Sequence, residues 1–551
     1  EFGGIALLDL SQHMFQTTAN YQFTFIREGD DEYGLSNASI RCLFQDSFKN
    51  IWAGSWGGGI NFIKREPSLF KSYKYSPSLA IDNSLTGKIV SSLCIDQDNR
   101  LWIGTDGSGI NVFEKGKRTD VYNSHNSHLN SNTVQTSLCD SKGQLWFGLF
   151  YGGIVRFDQK NHTFQQVYLS GHKDRQNIDV RALNEDNEGR IWIATSEGIY
   201  CIDRDTRNVL SHHDKENNLA RCILKDAHQR IWVGFYGSGL GMYDSQMNDL
   251  KLFNVKSNFP SNTINALYED SHKRLWVGTG EGLVCFPSLL DTTYIVYQRE
   301  NGLNNTHIQA IGEDKQGNIW VSTNKGISCL LHDSIFYNYN RYDNLPIGNF
   351  SRNCMAITRE GHFYVGSIDG VSYFHPETVL QKRQAPPALI TSLEITNPLN
   401  TTKQQFTVIP DPDNKIDLTY MQNSFIIRFN IQNYALTDQV EYAYMLKGLE
   451  NSWYILHDPH NVTFRNLPPG KYEFQIKTRI HNQEWSEAIT SLNIHIAPPL
   501  WQTLWAKAFY LVTFIGIAYT LFNAYKKRLD AETLYKLEKQ NLQHELVKKV
   551  H

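Results

Sequence analysis

Apolar and polar residues alternate along most of this chain in short runs, and the runs return at a nearly fixed spacing. One unit reads Ile40-Arg41-Cys42-Leu43-Phe44-Gln45-Asp46, then Ile51-Trp52-Ala53-Gly54, then Gly58-Gly59-Ile60-Asn61-Phe62. Its apolar-Trp-apolar-Gly step recurs at Leu101-Trp102-Ile103-Gly104, Leu145-Trp146-Phe147-Gly148, Ile191-Trp192-Ile193-Ala194, Ile231-Trp232-Val233-Gly234, Leu275-Trp276-Val277-Gly278 and Ile319-Trp320-Val321-Ser322. A degenerate copy, Phe363-Tyr364-Val365-Gly366, carries Tyr in the Trp place, and Gly3-Gly4-Ile5-Ala6-Leu7 matches the tail of one more. Successive marker aromatics lie 50, 44, 46, 40, 44, 44 and 44 residues apart. A period of this length, with several short strands per unit, predicts the blades of a β-propeller. The Trp is expected to fill the gap between neighbouring sheets. The longest spacing follows Phe62 and marks a boundary near residue 64. The seven copies from Trp102 to Tyr364 then form one closed propeller over residues 64–377, with 1–63 the remnant of a preceding propeller; a single eight-bladed ring is the alternative.

The Trp-Gly period stops after His375-Pro376, and Lys382-Arg383-Gln384-Ala385-Pro386-Pro387 reads as a linker. Alternating strands follow, among them Ser424–Phe429, Glu441–Leu446, Lys471–Ile476 and Ser491–Ile496, and they predict an Ig-like β-sandwich over 378–499. Residues 504–525 then form an apolar stretch long enough to span a bilayer. Trp501, Trp505 and Tyr525 suit its two interfaces, Lys507 reaches outward, and Lys526-Lys527-Arg528 put the C-terminal side in the cytoplasm. Residues 526–551 carry Leu534, Leu537, Leu542, Leu546 and Val550 three to five apart, the pattern of a cytoplasmic signalling helix and the start of a coiled coil.

The repeat residues resemble the two-component regulator propeller repeat, over roughly residues 1–377. Tyr420-Met421-Gln422-Asn423-Ser424-Phe425, Tyr442-Ala443-Tyr444-Met445-Leu446-Lys447-Gly448, Trp453 and Asn466-Leu467-Pro468-Pro469-Gly470-Lys471-Tyr472 resemble the triple-tyrosine domain that follows such propellers, with Phe464 where a Tyr is common. The resemblance implies a hybrid two-component sensor: a mainly β ectodomain in the periplasm or outside the cell, one helix through the inner membrane, and a homodimer. It also implies an oligosaccharide ligand and a histidine-kinase output. A DNA-binding output or a membrane-tethered glycan enzyme are the competing readings. The first residues read as the middle of a repeat and the last stop short of any kinase motif, so the chain is expected to be truncated at both ends.

Composition narrows the field. Lys+Arg (53) and Asp+Glu (56) nearly balance, so no basic surface points to nucleic acid. There is no nucleotide-binding Gly loop, H-E-x-x-H or nucleophile elbow, so neither a catalytic site, a cofactor nor a metal is assigned. The eight cysteines sit at repeat positions on different blades and read as free, buried thiols. One feature breaks the repeat. Four residues after the marker, most blades carry small or polar residues, but three carry Trp56, Phe150 and Tyr236, two of them flanked by Tyr151 and Phe235. Aromatics in a blade-rim loop point either to stacking on sugar rings or to packing against a neighbouring propeller or partner protomer.

Overall fold

The computed structural model describes residues 3–8, 23–29, 34–65, 68–77, 83–169, 178–213, 219–244, 250–288, 293–395, 406–408, 415–456 and 460–550. The chain divides into two compact units, Glu1–Lys382 and Arg383–His551.

In the first unit, seven inner strands follow one another around a ring: Val90–Ile95, Val134–Cys139, Val180–Glu185, Leu219–Lys225, Ile264–Glu269, Ile308–Glu313 and Phe350–Ile357, the last lying beside the first. Each opens a four-stranded antiparallel sheet. The ring therefore has seven blades, not eight. The unit containing Trp52 forms a separate three-stranded sheet, and among the described residues Ile5–Leu8 pairs with Phe23–Ile26. The seventh blade takes its outer strand from the start of the ring: Lys71–Tyr73 pairs with Gly370–Phe374. The residues behind the 50-residue spacing thus supply the strand that closes the circle.

A buried carboxylate explains why each blade keeps its Trp. Six residues before the marker stands Asp96, Asp140, Asp186, Asp226, Asp270 or Asp314, each at most 7% exposed. One carboxylate oxygen accepts the indole N–H, at 2.8 Å for Trp102 and Trp232 and 2.9 Å for Trp146 and Trp320. The other accepts two backbone N–H groups of the intervening turn, as Asp226 Oδ1 does from His228 and Arg230, both at 2.9 Å. In four blades the Arg four residues on adds an Nε–H donor, at 2.6–2.8 Å. The fixed indole then meets the next blade: Trp102 packs edge-on against Phe157 at 4.8 Å, and Trp232 packs at a tilt against Phe286 at 5.4 Å. Two residues after the marker, five of the seven blades carry Gly and the other two the small Ala194 and Ser322, because this point lies against the inner strands. A Cβ on Gly234 would lie 2.6 Å from Ile264 Cγ2 and 2.4 Å from Cys222 Sγ. Rim links join adjacent blades as well: Ser141, Ala227 and Ser271 donate backbone N–H groups to Glu185, Glu269 and Glu313 of the next blade.

All eight cysteines are free; six are buried, Cys139 is half-buried and Cys42 is exposed on the separate N-terminal sheet. Burial pushes the Cys94 and Cys222 thiols up to about 12.

The second unit is a sandwich of a four-stranded sheet (Phe406–Val408, Ala388–Ile395, Phe425–Ile431, Asn461–Phe464) and a five-stranded one (Lys415–Leu418, Ile489–Ile496, Gly470–Ile480, Val440–Lys447, Tyr454–Ile455). Their inner faces share one core, including Phe425, Tyr442, Phe474 and Ile476. Tyr442 and Tyr472 are buried, and the Tyr472 hydroxyl donates to the Pro468 carbonyl at 2.7 Å. The 504–525 and 526–551 stretches, expected as two elements, run as one helix, Leu504–Val550. Its 47 residues measure roughly 70 Å. By length and composition it is one helix able to cross a membrane.

Two outcomes follow for stability. Asp226→Ala leaves an indole N–H, two turn N–H groups and the Arg230 fork without their acceptor, and should cost about 3 kcal/mol, read as a shift of the denaturant midpoint followed by tryptophan fluorescence. Asp186 is buried, which raises its pKa, but its bonds from Trp192 and Arg190 and the charge of Lys225 outweigh that and hold it at about 2. Because the folded value lies below the unfolded one, its contribution is full above about pH 4 and is lost as pH falls towards 2. Asp186→Asn should therefore show a smaller stability difference between pH 5 and pH 2.5 than the parent, by about 2 kcal/mol.

Candidate functional site: one mouth of the propeller channel

Every inner strand begins with a β-bulge. In the first six blades one residue is left out of the pairing with the second strand: Ser91, Gln135, Arg181, Arg221, Asn265 and Gln309. All six are polar. Each stands eleven residues before its marker Trp, between positions that are mostly apolar, so the signal was present in the sequence and sequence reasoning missed it. In the seventh blade Phe350 pairs with Ser367 and the ladder resumes only at Met355 with Val365, which leaves Ser351, Arg352, Asn353 and Cys354 in an enlarged bulge. Several of these residues tie the ring together. Ser91 Oγ donates to the Val134 carbonyl at 2.5 Å, Asn265 Nδ2 to the Ile308 carbonyl at 2.8 Å, and Ser351 Oγ to the Val90 carbonyl.

The loop residues four after the marker sit at this same end. Their backbone N–H groups bond to the residue just ahead of the inner strand: Asp106 to Ile89, Phe150 to Thr133, Ser196 to Asp179, Gly280 to Thr263 and Ile368 to Asn349. Tyr236 forms a β-bridge with Thr263 there. Phe150, Tyr151 and Tyr236 thus share one mouth and are 41%, 61% and 51% exposed. Phe150 and Tyr151 meet edge to face at 4.4 Å. Tyr236 lies beneath Arg221, whose guanidinium carbon is 3.8 Å from the ring centre.

Two of the sequence-predicted residues do not join them. Phe235 is 2% exposed and packs in a blade core with Trp192, Ile231 and Tyr243. It neighbours Tyr236 on a strand, so the pleat turns its side chain to the opposite face, and it is withdrawn as a ligand contact. Trp56 is 67% exposed but belongs to the separate N-terminal sheet, where Arg41 covers it at 4.7 Å. That pair repeats the Arg221–Tyr236 arrangement outside the ring.

The bulges bring positive charge to the mouth, and the loop residue Asp106 adds a carboxylate. Arg181 pairs with Asp179 at 2.8 Å. Arg221 reaches the Asn265 amide oxygen at 3.4 Å. Desolvation, and then the nearby Arg352, bring the Arg221 pKa down to about 10. Elsewhere, Asp270, His272 and Glu313 lie close enough to suggest a cation. Asp270 is taken up by Trp276 and Arg274, and Glu313 by Ser271, so the group is already satisfied as a blade link.

Comparison with known proteins agrees with this architecture. The two component regulator propeller repeat matches at residues 34–57, 84–107, 175–197, 258–281 and 302–325, and the Y_Y_Y domain at 433–497. The chain is a two-component regulator propeller followed by a Y_Y_Y domain. The extracellular domain of a B. thetaiotaomicron protein designated a hybrid two component system is 47% identical, with a TM-score of 0.81 over 90% of this chain and 66% of that one. A histidine kinase of Formosa agariphila is 26% identical over 94% of this chain. The chain spans 35% of that kinase's length. In make-up this regulator propeller is the sensor-type extracellular part of a two-component system, with one candidate membrane-crossing helix at its C-terminal end.

The contrast between neighbours Phe235 and Tyr236 is measurable. Phe235→Ala should lose about 3–5 kcal/mol of stability through the cavity it leaves, whereas Tyr236→Ala should stay within about 1 kcal/mol, both read from thermal or denaturant midpoints.

Proposed function

We propose that this chain is the sensing portion of a membrane-bound receptor that binds an oligosaccharide at the channel mouth of its propeller. The signal then passes through the single helix to a histidine-kinase output. The observation that carries the ligand part is the group of exposed aromatics, Phe150, Tyr151 and Tyr236, on one mouth already lined by polar bulge residues. Flat apolar faces beside fixed hydrogen-bonding groups are what pyranose rings require: the ring stacks, and the hydroxyls set its orientation. Within the second unit, support for transmission comes from Tyr420. It packs edge-on against Trp501 at 5.4 Å, just ahead of the helix, while Ala497 N–H bonds to the Leu418 carbonyl at 2.8 Å. The kinase output is proposed from the Formosa agariphila relative, and a homodimer in the inner membrane from the sensor class.

Calorimetric titration of the 551-residue chain with neutral and acidic oligosaccharides tests this reading. Micromolar-range binding without product formation is expected for one class, weakened at least tenfold by Phe150→Ala with Tyr236→Ala. Unchanged affinity in that double variant would remove the mouth as the site, and cleavage of the sugar would replace the sensor with an enzyme.

A further inference from the structure

The reading just given leaves the ligand's chemistry open, and the charges at the mouth narrow it. Arg181, Arg221 and Arg352 come from the bulges of the third, fourth and seventh blades. The enlarged seventh bulge fills the channel end: its strand lies beside its ring neighbours and also beside Ile264–Glu269, two blades away. Only Arg181 has a carboxylate partner, Asp179. Arg221 has a neutral amide oxygen and the face of Tyr236. Arg352 makes no hydrogen bond or ion pair among the described residues. The bulges thus bring three guanidinium groups to the mouth, with Asp179 paired to Arg181 and the loop carboxylate Asp106 bonded by the Thr133 hydroxyl; the three lie within reach of each other's fields, since Arg352 and Arg181 both lower the Arg221 pKa after desolvation, and Arg181 likewise lowers that of Arg352.

Such an arrangement costs stability. Like charges brought into a partly desolvated channel repel one another, and nothing in the packing of the blades calls for them, because five of the seven blades place Ser, Gln or Asn eleven residues before the marker, Asn353 beside Arg352 in the seventh. The guanidinium fork matches the two oxygens of a carboxylate or sulfate, and Tyr236 holds Arg221 flat beside a stacking surface. We infer that the mouth binds the anionic group of an acidic saccharide, a carboxylate or a sulfate ester, between Arg221 and Arg352 with Arg181 behind them. The inference rests on the oligosaccharide reading and names its substrate class. Arg352 has the fewest competing partners and sits on an exposed bulge, so it is the residue whose loss should affect the ligand most and the fold least.

The test uses the 551-residue chain and three probes of equal length: tetragalacturonate, a carrageenan-derived tetrasaccharide whose anionic groups are sulfate esters alone, and neutral cellotetraose. At least one acidic probe should bind ten times or more tighter than the neutral one, and its affinity should fall as salt rises from about 50 to 300 mM. The better of the two acidic probes distinguishes carboxylate from sulfate. Arg352→Gln should weaken acidic binding at least tenfold with an unchanged or raised thermal midpoint, since it removes a repelling charge; Arg352→Lys should retain most of the affinity. Equal affinity for the neutral probe, or acidic binding indifferent to Arg352→Gln, would overturn the anionic assignment and leave the sugar-sensing reading standing. Failure of all three probes at millimolar concentration would overturn both. A large drop in thermal midpoint in Arg352→Gln would make the residue structural and overturn the assignment as well.

Discussion

The propeller depends on a carboxylate hidden under each tryptophan. A buried charge is tolerated only where its lone pairs are filled, and these are filled by an indole N–H, two turn N–H groups and often an arginine fork. That one group fixes the turn between the first two strands, the angle of the indole and therefore the wedge between one blade and the next. Where the pattern lapses, closure compensates. The seventh blade has Thr358 and Tyr364 in place of Asp and Trp, and the Thr358 hydroxyl accepts the His362 N–H. Here Tyr73, on the strand donated from the start of the ring, stacks between Phe113 at 4.6 Å and Tyr373 at 4.7 Å. The weakest repeat is thus the one stitched shut by a distant segment.

The repeat and the change to a sandwich were legible because they rest on large apolar residues at a fixed period, whereas the sequence left the ring open between seven and eight blades. The Asp–Trp bond was visible in principle as a six-residue spacing, but a carboxylate in a turn has a sufficient local explanation, and its burial appears only once the next blade covers it. The closing strand was hidden for a similar reason. Lys71-Ser72-Tyr73 is too short to read as a blade edge, and its partner lies almost three hundred residues away. Phe235 shows the limit of reading loops by neighbourhood. It is adjacent to Tyr236, yet the second strand extends one step further in this blade, Ile231–Tyr236, and carries Phe235 into the core. The bulge residues were missed because a lone polar residue between apolar ones reads as ordinary alternation. Only the ring makes these positions converge.

That convergence is a property of the architecture. Seven inner strands that start at one end of a channel must bring seven bulges together there, so residues spread over more than 260 positions, from Ser91 to Arg352, become a single surface. Changing the side chain at a bulge leaves the blade's hydrogen bonds intact, because the residue is already outside the pairing. Where the bulge side chain makes no bond to the next blade, the fold can therefore vary the chemistry of its mouth with little effect on its stability. The arginines carry the mark of that freedom: they occupy sites that packing leaves open and that electrostatics alone would not favour.

Signal transfer imposes a different constraint. The helix Leu504–Val550 is exposed along nearly its whole length, and on the proposed reading its first part offers apolar side chains to lipid. Within the second unit its attachment is concentrated at its start, through the turn Leu500–Gln502, Trp501 against Tyr420 and the strand ending at Ile496. An unbroken helix carries a rotation or tilt imposed at that base to its far end without loss, since its backbone bonds leave no joint. No glycine–proline pair or other breaker interrupts it; Gly516 alone lies within it. On the proposed reading, a ligand can bias the receptor only by binding one arrangement of this base better than another. The Tyr420–Trp501 contact is the point in the second unit where such a difference would be stored, because it joins the sandwich core's edge to the first turn ahead of the helix.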